Sequence, residues 1–312
     1  FILLVYSVLL PKKYCYKYFY VALFVGGLVQ VFVVATGFSV GAGPDNELMR
    51  AKGTSFNPNN LGTFMICSTI GALYLWKNKT KLLKITLLGF VIAAGFVILK
   101  TGSRNATISF IFLITSWFLF IRKPFGQSLK NPKDLSLVIV LLGAFAYLLY
   151  AVVPDSTVGK RFTKFAEEGR SDLTKSIEEQ RRFEMYSSGL KIFMENPIAG
   201  VGLNNFGKYF YTGGYTHSNF LEPLVTTGLV GFILYQGFYL VLLIKVMRRK
   251  KIYFGEDMRY WLRMGEISIV TFILYGLGKP EYNIIQIMAI LATISAKSKM
   301  TSSVSLRQRN PN

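Results

Sequence analysis

The sequence predicts an all-α, polytopic transmembrane protein, and three observations support this fold class. Of the 312 residues, 52% are hydrophobic and only 17% are charged, whereas soluble domains carry about 25% charged residues. The apolar residues form continuous runs, several of them near the ~20 residues that cross a hydrocarbon core. The runs do not alternate with a period of two, which argues against a barrel.

The apolar runs predict eight full spans and a partial N-terminal span. The partial span is residues 1–10, and the chain opens there without Met or a charged signal region. This start favours a fragment that begins inside a membrane helix. The full spans are predicted at residues 18–40, 61–76, 82–99, 106–121, 135–153, 219–244, 264–278 and 284–296.

The distribution of charge predicts which loops share a side of the membrane. The loops that begin at residues 11, 77, 122, 245 and 297 hold most of the 36 Lys and Arg residues and few of the 16 acidic ones. Basic loops stay in the cytoplasm. The remaining loops are therefore predicted to lie outside, at residues 41–60, 100–105, 154–216 and 279–283. The net charge of +20 then reflects topology, not binding to nucleic acid.

This topology predicts a multi-pass protein of the plasma or inner membrane with three parts. N-terminal transmembrane helices with short external loops occupy residues 1–153. A large extracytoplasmic loop, predicted to be catalytic, follows at 154–219. C-terminal transmembrane helices and a basic cytoplasmic tail complete the chain at 220–312.

Every loop predicted to be external carries Lys or Arg, although such loops normally avoid them. An anionic ligand is one reason to keep cations there, because the planar fork of Arg matches phosphate oxygens. Pairing with external acids remains the alternative for any single residue. Arg104, in TGSRN, also lies where a helix begins, which favours anions. Candidate anion-binding residues are Arg50, Lys52, Arg104, Arg181 and Arg182.

The large loop contains a predicted amphipathic helix at residues 174–195 that ends at Asn196-Pro197. We expect it to lie along the bilayer surface. Arg182 shares a face with Tyr186, while Arg181 is turned by about 100°. The apolar face is predicted from the spacing of Phe183, Tyr186, Leu190 and Phe193.

Glycine and aromatic residues follow this helix. Gly200 and Gly202 allow a tight turn or a close backbone approach. Beyond them, aromatic side chains surround Gly213-Gly214 and suit either stacking on sugars or anchoring at the membrane interface. They are Tyr209, Phe210, Tyr211 and Tyr215.

His217 is the single histidine of the chain and directly precedes a predicted span. Ser218 and Asn219 are good N-cap residues, and Glu222 follows Asn219 by three positions, as in a capping box. The positive end of the helix dipole favours a neutral imidazole, which is able to act as a base. A structural or solvated histidine is the alternative.

No metal or other cofactor is predicted. A single histidine argues against a His-based zinc site. The external acids Asp155, Glu167, Glu168 and Glu222 include no D-x-D pair. Walker, G-x-S-x-G and dinucleotide motifs are absent from the sequence.

The order of these motifs resembles the O-antigen ligase and Wzy-type O-antigen polymerase superfamily. There an arginine precedes [D/N]P-x-x-G-x-G-x-x-x-F and then H-[N/S]-x-x-L…GLxG. Upstream, RAKGTSFNPNNLG and TGSRNA are also similar. The matching positions here are Arg181 or Arg182, Asn196-Pro197, Gly200, Gly202, Phe206, His217, Ser218, Leu221, Gly228 and Gly231.

The resemblance implies a GT-C-like membrane glycosyltransferase that uses a glycan on undecaprenyl diphosphate and no metal. External arginines would hold the diphosphate, and His217 would stand near the acceptor glycan. Gly200, Gly202, Tyr215, Asn219 and Glu222 would shape the loop or the acceptor site. The implied partners are the bilayer, a flippase and a chain-length regulator. Family members have about ten to twelve spans, more than this chain.

Three activities remain open. We favour a polymerase that extends a surface polysaccharide of the O-antigen or capsule type. A ligase would transfer finished glycan to lipid A core, teichoic acid, peptidoglycan or protein. A transporter or flippase would show discontinuous helices and ionisable residues at mid-membrane.

Overall fold

A computed structural model describes residues 15–37, 50–55, 57–77, 79–120, 177–210, 214–252, 255–279 and 284–309. All regular secondary structure in these ranges is helical, which confirms the all-α class. The predicted spans at 1–10 and 135–153 lie outside the described residues. The helices are α1 Cys15–Ala35, α2 Pro58–Leu75, α3 Lys81–Thr101, α4 Arg104–Phe120, α5 Ile177–Glu195, α6 Phe206–Tyr209, α7 Leu221–Ile252, α8 Glu256–Gly276 and α9 Ile285–Arg309.

Three of these helices are long and apolar enough to cross a membrane, in α1, α3 and α7. Two further apolar segments, in α4 and α9, are shorter. Helix α2 overlaps the predicted span at 61–76 and has 18 residues. Helix α8 overlaps the predicted span at 264–278 but begins at Glu256 and has 21 residues, so most of the predicted loop at 245–263 is helical. A membrane protein is therefore supported, whereas the number of eight spans stays a prediction.

Local sequence signals set several helix ends. The side chain of Asn57 accepts a hydrogen bond from Asn59 N, and Pro58 begins α2. Thr80 caps the start of α3, and Gly102 ends it in the left-handed region at φ 64°. Because α4 begins at Arg104, the turn between α3 and α4 is very short.

An aromatic cluster joins α1, α2, α8 and α9. The rings of Tyr20 and Tyr74 stack with centroids 4.2 Å apart, and Trp261 contacts both. The Tyr20 hydroxyl also pairs with Thr293 Oγ1 at 2.8 Å. This contact connects residues 273 positions apart, so it fixes the first described helix against the last.

The described loops gather at two ends of the helices. Lys77 Nζ lies 2.9 Å from Asp257 Oδ1, and Lys297 lies over the ring of Tyr16. These residues come from loops that the charge pattern groups as cytoplasmic. The loops grouped as external meet at the other end, called here the site end: residues 50–60, 100–105, 214–222 and 275–279. Which end faces the cytoplasm stays a prediction.

Helix α7 is broken at Gly228, whose φ and ψ are 64° and −167°. The continuous helix that we predicted for residues 219–244 is therefore wrong at this point. The reason is a close backbone contact: the turn at residues 197–202 inserts against the break and replaces part of its hydrogen bonding. The turn follows α5 directly in the chain.

Helix α5 confirms a helix in the large loop, but its predicted apolar face is only partly right. Phe183 and Leu190 are 71% and 51% exposed, while Met185 and Ile192 are buried. The buried pair packs with Phe206, Phe210 and Val225. Tyr186 and Phe193 are partly buried against the same cluster. The helix is apolar on more than one side, so spacing alone did not identify the face that packs.

Candidate functional site

The end of α8 is the centre of the site end. The Tyr275 carbonyl accepts a hydrogen bond from Asn105 Nδ2 at the start of α4. The next carbonyl, of Gly276, accepts one from Asn219 N at 2.8 Å. Both are among the last carbonyls of α8, where the regular i to i+4 pairing ends, and the Tyr275 carbonyl also accepts from Gly278 N at 3.3 Å. Adjacent carbonyls thus bind the first turn of α4 and the turn before α7.

Side chains from the same end of α8 hold the start of α2. The Tyr275 hydroxyl pairs with Thr63 Oγ1 at 2.5 Å and donates to Asn59 O at 3.2 Å. Lys279, only 8% exposed, donates from Nζ to Asn60 Oδ1. Three helix starts are therefore attached to one helix end.

Arg50 is fixed on the turn that precedes Arg104. Its Nε donates to Thr101 O at 2.7 Å, and its Nη2 donates to Asn59 Oδ1 at 3.2 Å. The backbone runs beside the same turn, with Ala51 N donating to Lys100 O at 2.9 Å. Arg104 is the first residue of α4 and is half-buried. The two predicted anion-binding arginines thus come from distant sequence positions to one turn.

Lys52 is half-buried at the start of the following turn. Its carbonyl accepts hydrogen bonds from the backbone and the hydroxyl of Ser55. These contacts fix the Lys52 backbone close to Arg50. Binding of an anion by its ammonium group stays a prediction.

His217 lies in a tight, left-handed turn before α7. Its φ is 54°, a conformation that is uncommon for a residue with a side chain. Its ring packs on the ring of Tyr215, with centroids 4.4 Å apart. The half-buried imidazole is thus presented from a constrained backbone, a type of strain that clusters at functional sites.

Ser218, not Asn219, is the N-cap of α7. The Ser218 hydroxyl accepts hydrogen bonds from Phe220 N and Leu221 N at 3.2 and 3.3 Å. Glu222 is 1% exposed, and its carboxylate accepts from Thr216 N at 2.7 Å. The predicted capping box is therefore not formed, because Glu222 accepts from Thr216 N and not from the amide of the cap residue, and the glutamate closes the turn that contains His217.

Asn219 does not cap α7, because its side chain and its backbone bond to residues further along the chain. Its side-chain oxygen accepts from the Tyr235 hydroxyl at 3.0 Å, and its carbonyl accepts from Gln236 Nε2 at 2.8 Å. A Cβ on Gly276 would come within 2.9 Å of the Asn219 side chain. Asn219 therefore fixes the chain two residues after His217 to α8.

Tyr215 has a perturbed phenol. Burial raises its pKa above the ordinary value, and the negative charge of Glu222 raises it further. The phenol is therefore neutral at physiological pH and able to donate a hydrogen bond beside His217.

Gly200 and Gly202 form the turn that enters the break in α7. Their φ angles are 64° and 95°, which favour glycine. A Cβ on Gly200 would come within 2.6 Å of the Gly228 backbone nitrogen. The close backbone approach that we predicted at Gly200 is thus observed, and the backbone that it approaches is that of Gly228.

The hydrogen bonds across this junction run in both directions. Gly202 N donates to Thr226 O at 2.8 Å and Val201 N donates to Val225 O at 2.9 Å, while Leu229 N donates to Pro197 O at 2.8 Å. The turn therefore supplies donors for the carbonyls before the break and an acceptor for an amide after it.

Arg181 and Arg182 belong to the early turns of α5. The positions of their side chains are not among those described. Along the helix, Arg181 is one turn before the buried Met185, and Arg182 is one turn before the partly buried Tyr186. Contact between these arginines and Arg50, Arg104 or His217 stays a prediction.

Sequence reasoning missed the residues that assemble the site, chiefly Asn105 and Tyr275. Asn105 is part of TGSRNA and was visible as a polar residue at a helix start. Tyr275 carries no such signal, because tyrosine at the end of a span is ordinary at a membrane interface. Among the described residues, no group of three or more His, Cys, Asp or Glu side chains could hold a metal ion.

Comparison with known proteins adds one finding. Residues 88–236 match the family model described as O-antigen ligase. The matched region runs from within α3 into α7 and contains Arg104, Gly200, His217 and the Gly228 break. Arg50 precedes it. No curated protein matches the chain.

Proposed function

We propose, from the match of residues 88–236 to the O-antigen ligase family model, that the chain is a member of the O-antigen ligase and polymerase superfamily and polymerises the repeat units of a surface polysaccharide. The family makes it a membrane glycosyltransferase in general terms. The proposed donor is a glycan linked to undecaprenyl diphosphate. The proposed acceptor is a sugar hydroxyl on another lipid-linked glycan, as in O-antigen or capsule polymerases.

The observation that carries this proposal is the pairing of Asn105 and Asn219 with adjacent carbonyls of α8. One pairing fixes the residue after Arg104, and the other fixes the residue two after His217. Arg50 is bonded to the turn before Arg104. Cations for a diphosphate and a base for a hydroxyl are therefore supported by the same helix end.

In the proposed reaction, the acceptor hydroxyl oxygen attacks the anomeric carbon of the donor glycan. The bond from that carbon to the diphosphate oxygen breaks, and its electron pair leaves with undecaprenyl diphosphate. An imidazole nitrogen of His217 takes the proton of the hydroxyl. Arg50, Arg104 and either Arg181 or Arg182 stabilise the charge that develops on the leaving group.

The roles of these residues predict separable defects. General-base help is worth roughly 10²–10⁴-fold in rate, so His217→Ala should keep the lipid donor bound and lose polymer. Arg182→Lys keeps the charge but loses the fork. Normal polymer from His217→Ala would remove the catalytic role, and long glycans from a double Arg181→Ala, Arg182→Ala variant would remove the phosphate role. Lys208→Ala, at an exposed position of α6, is the matched control.

A transporter is less well supported. The break in α7 is the kind of discontinuity that a transporter would use. Here, however, the turn at 197–202 pairs with backbone groups on both sides of Gly228. These groups are satisfied by the protein itself, so the break has no need of a transported ion.

The proposal places the site on the outer face of the plasma or inner membrane, with the C-terminus in the cytoplasm. Substrate would enter laterally from the bilayer after a flippase delivers it, and a chain-length regulator would act on the product. We expect transfer to continue in the presence of EDTA, because arginines supply the charge stabilisation.

One assay tests the proposed reaction against its alternatives. Purified protein is mixed in detergent with a lipid-diphosphate oligosaccharide, without a separate acceptor. Chain extension supports the polymerase. Product that forms only after a different acceptor is added identifies a ligase, and intact donor under both conditions points to transport.

A further inference from the structure

A cleft of about 620 Å³ opens at the site end beside the predicted base. It lies between α1, the start of α2 and the start of α9, and Tyr215 is part of its wall. The same Tyr215 ring packs on the imidazole of His217 at 4.4 Å. Its volume is within the ~300–1,000 Å³ range of small-molecule sites.

The wall of the cleft has the chemistry of a sugar-binding site. Its amides, including Asn60 and Gln286, both donate and accept hydrogen bonds, as sugar hydroxyls do. Hydroxyl side chains and the apolar faces of Phe64 and Ile285 complete it. No carboxylate is among the described residues that line it, and Lys279 is the one charged side chain among them.

Several polar groups in the wall are already oriented. Gln30 is 9% exposed within the apolar α1. Its Nε2 donates to Thr54 Oγ1 at 2.5 Å, and its Oε1 accepts from Thr54 N at 3.1 Å. A Cβ on Gly53 would lie 2.5 Å from that oxygen, so the loop can approach only because residue 53 is glycine. Lys279 is likewise held by Asn60.

We propose that this cleft is a subsite for the acceptor glycan, which holds sugars next to the one that reacts. Its wall includes Tyr215, which packs on His217, and this neighbour assigns the cleft to the acceptor, because the histidine takes the acceptor's proton in the proposed function, on which this inference rests. Polar side chains that are fixed before binding lower the cost of ordering the site around a flexible sugar chain.

Photocrosslinking in cells that make the polysaccharide tests the subsite. p-Benzoylphenylalanine in place of Ile285, which lines the cleft and is 61% exposed, should yield an adduct that contains sugars by mass spectrometry and is sensitive to periodate. The same replacement at Ile233 of α7, 58% exposed and not part of the cleft wall, should yield adducts with lipid acyl chains. Lipid adducts alone at Ile285, or none while Ile233 reacts, overturn the proposal.

Repeating the experiment with His217→Ala separates the subsite from the reaction. Loss of polymer with a persistent sugar adduct supports both proposals. Normal polymer with a sugar adduct removes the catalytic role and keeps the subsite. Absence of a sugar adduct at Ile285 with either residue at position 217, while polymer is lost only in His217→Ala, removes the subsite and leaves the role of His217 intact.

A kinetic variant gives an independent measurement. Gln286→Ala should raise the KM for the acceptor about 3- to 10-fold with little change in kcat, which is the effect of a lost neutral hydrogen bond. The exposed Thr36→Ala, outside the cleft wall, should change neither constant. An unchanged KM in Gln286→Ala contradicts the subsite.

Discussion

The two parts of the candidate site are held by different forces. Arg50, Arg104 and His217 lie in or next to helix ends that are joined by hydrogen bonds from side chains to the backbone and, at Asn219, from backbone to backbone. Residues 177–210, called here the loop unit, carry Arg181 and Arg182 and are attached through a small apolar cluster and the junction at Gly228. The first part is built into the helix bundle, whereas the second is docked on α7.

Because of this difference, we expect substitutions in the two parts to disrupt the site in different ways. A change at the junction or in the apolar cluster should detach the loop unit while the bundle remains folded. A change in the hydrogen bonds around Tyr275 should weaken the bundle end itself. The two kinds of variant are therefore distinguishable by which part of the chain becomes accessible.

The largest effect is expected for Gly228→Ala. A Cβ there would overlap the carbonyl oxygen of Ile198, and φ 64° with ψ −167° is a conformation that is essentially restricted to glycine. We expect polymer formation to fall at least about tenfold and limited proteolysis to cleave the loop unit while the purified protein stays monodisperse. Gly237→Ala, in the same helix with open space around it, is the control. Full activity in Gly228→Ala would contradict the role of the junction.

A matched methionine pair tests the apolar cluster. Met185 is 4% exposed and Met194 is 77% exposed on the same helix. Met185→Ala should destabilise docking of the loop unit by about 2–5 kcal/mol, because it leaves a cavity. Met194→Ala should have little effect. Hydrogen exchange of residues 177–210 measures both, and equal protection in the two variants would show that the cluster does not hold the loop unit.

Asn105→Ala tests the bundle side of the comparison. It removes one of the donors to the Tyr275 carbonyl, which keeps the donor Gly278 N, at a cost of about 0.5–1.5 kcal/mol. We expect a lower Tm in detergent and reduced transfer, with the proteolysis of the loop unit unchanged. Selective cleavage of the loop unit in this variant would mean that the two parts are one cooperative structure.

The smallest effect concerns alkaline pH. The pKa of Tyr215 is raised in the folded protein, so the neutral phenol stabilises the fold below its ordinary pKa of about 10, and this stability is lost as pH rises through the folded value. Tyr215→Phe should therefore flatten the loss of Tm above a pH of about 10. The exposed Tyr209→Phe is the control. If the Tm of wild type and of Tyr215→Phe falls in the same way at alkaline pH, ionisation of Tyr215 does not contribute to the loss of stability.

The sequence predicted the helical class, the helix in the large loop and the loops that share an end. It also placed Arg50 and Arg104 in loops on one side, and the structure bonds Arg50 Nε to the carbonyl of Thr101 in the turn before Arg104; binding of one anion by both arginines stays a prediction. The apolar face of α5 was only partly predicted because the helix carries large apolar residues at exposed as well as buried positions, so Phe183 and Met185 give the same signal in the sequence. The choice between the two predicted caps, Ser218 and Asn219, and the break at Gly228 depend on partners at Gly276 and Ile198 that are remote in the chain.

The junction at Gly228 has a consequence for biogenesis. Within lipid, unpaired backbone groups cost several kcal/mol each, so α7 can adopt its break only when residues 197–202 are in place. Those residues are synthesised before the segment that they complete. The loop unit can therefore dock only after α7 has been synthesised, so docking of the two is a late step in the assembly of the protein.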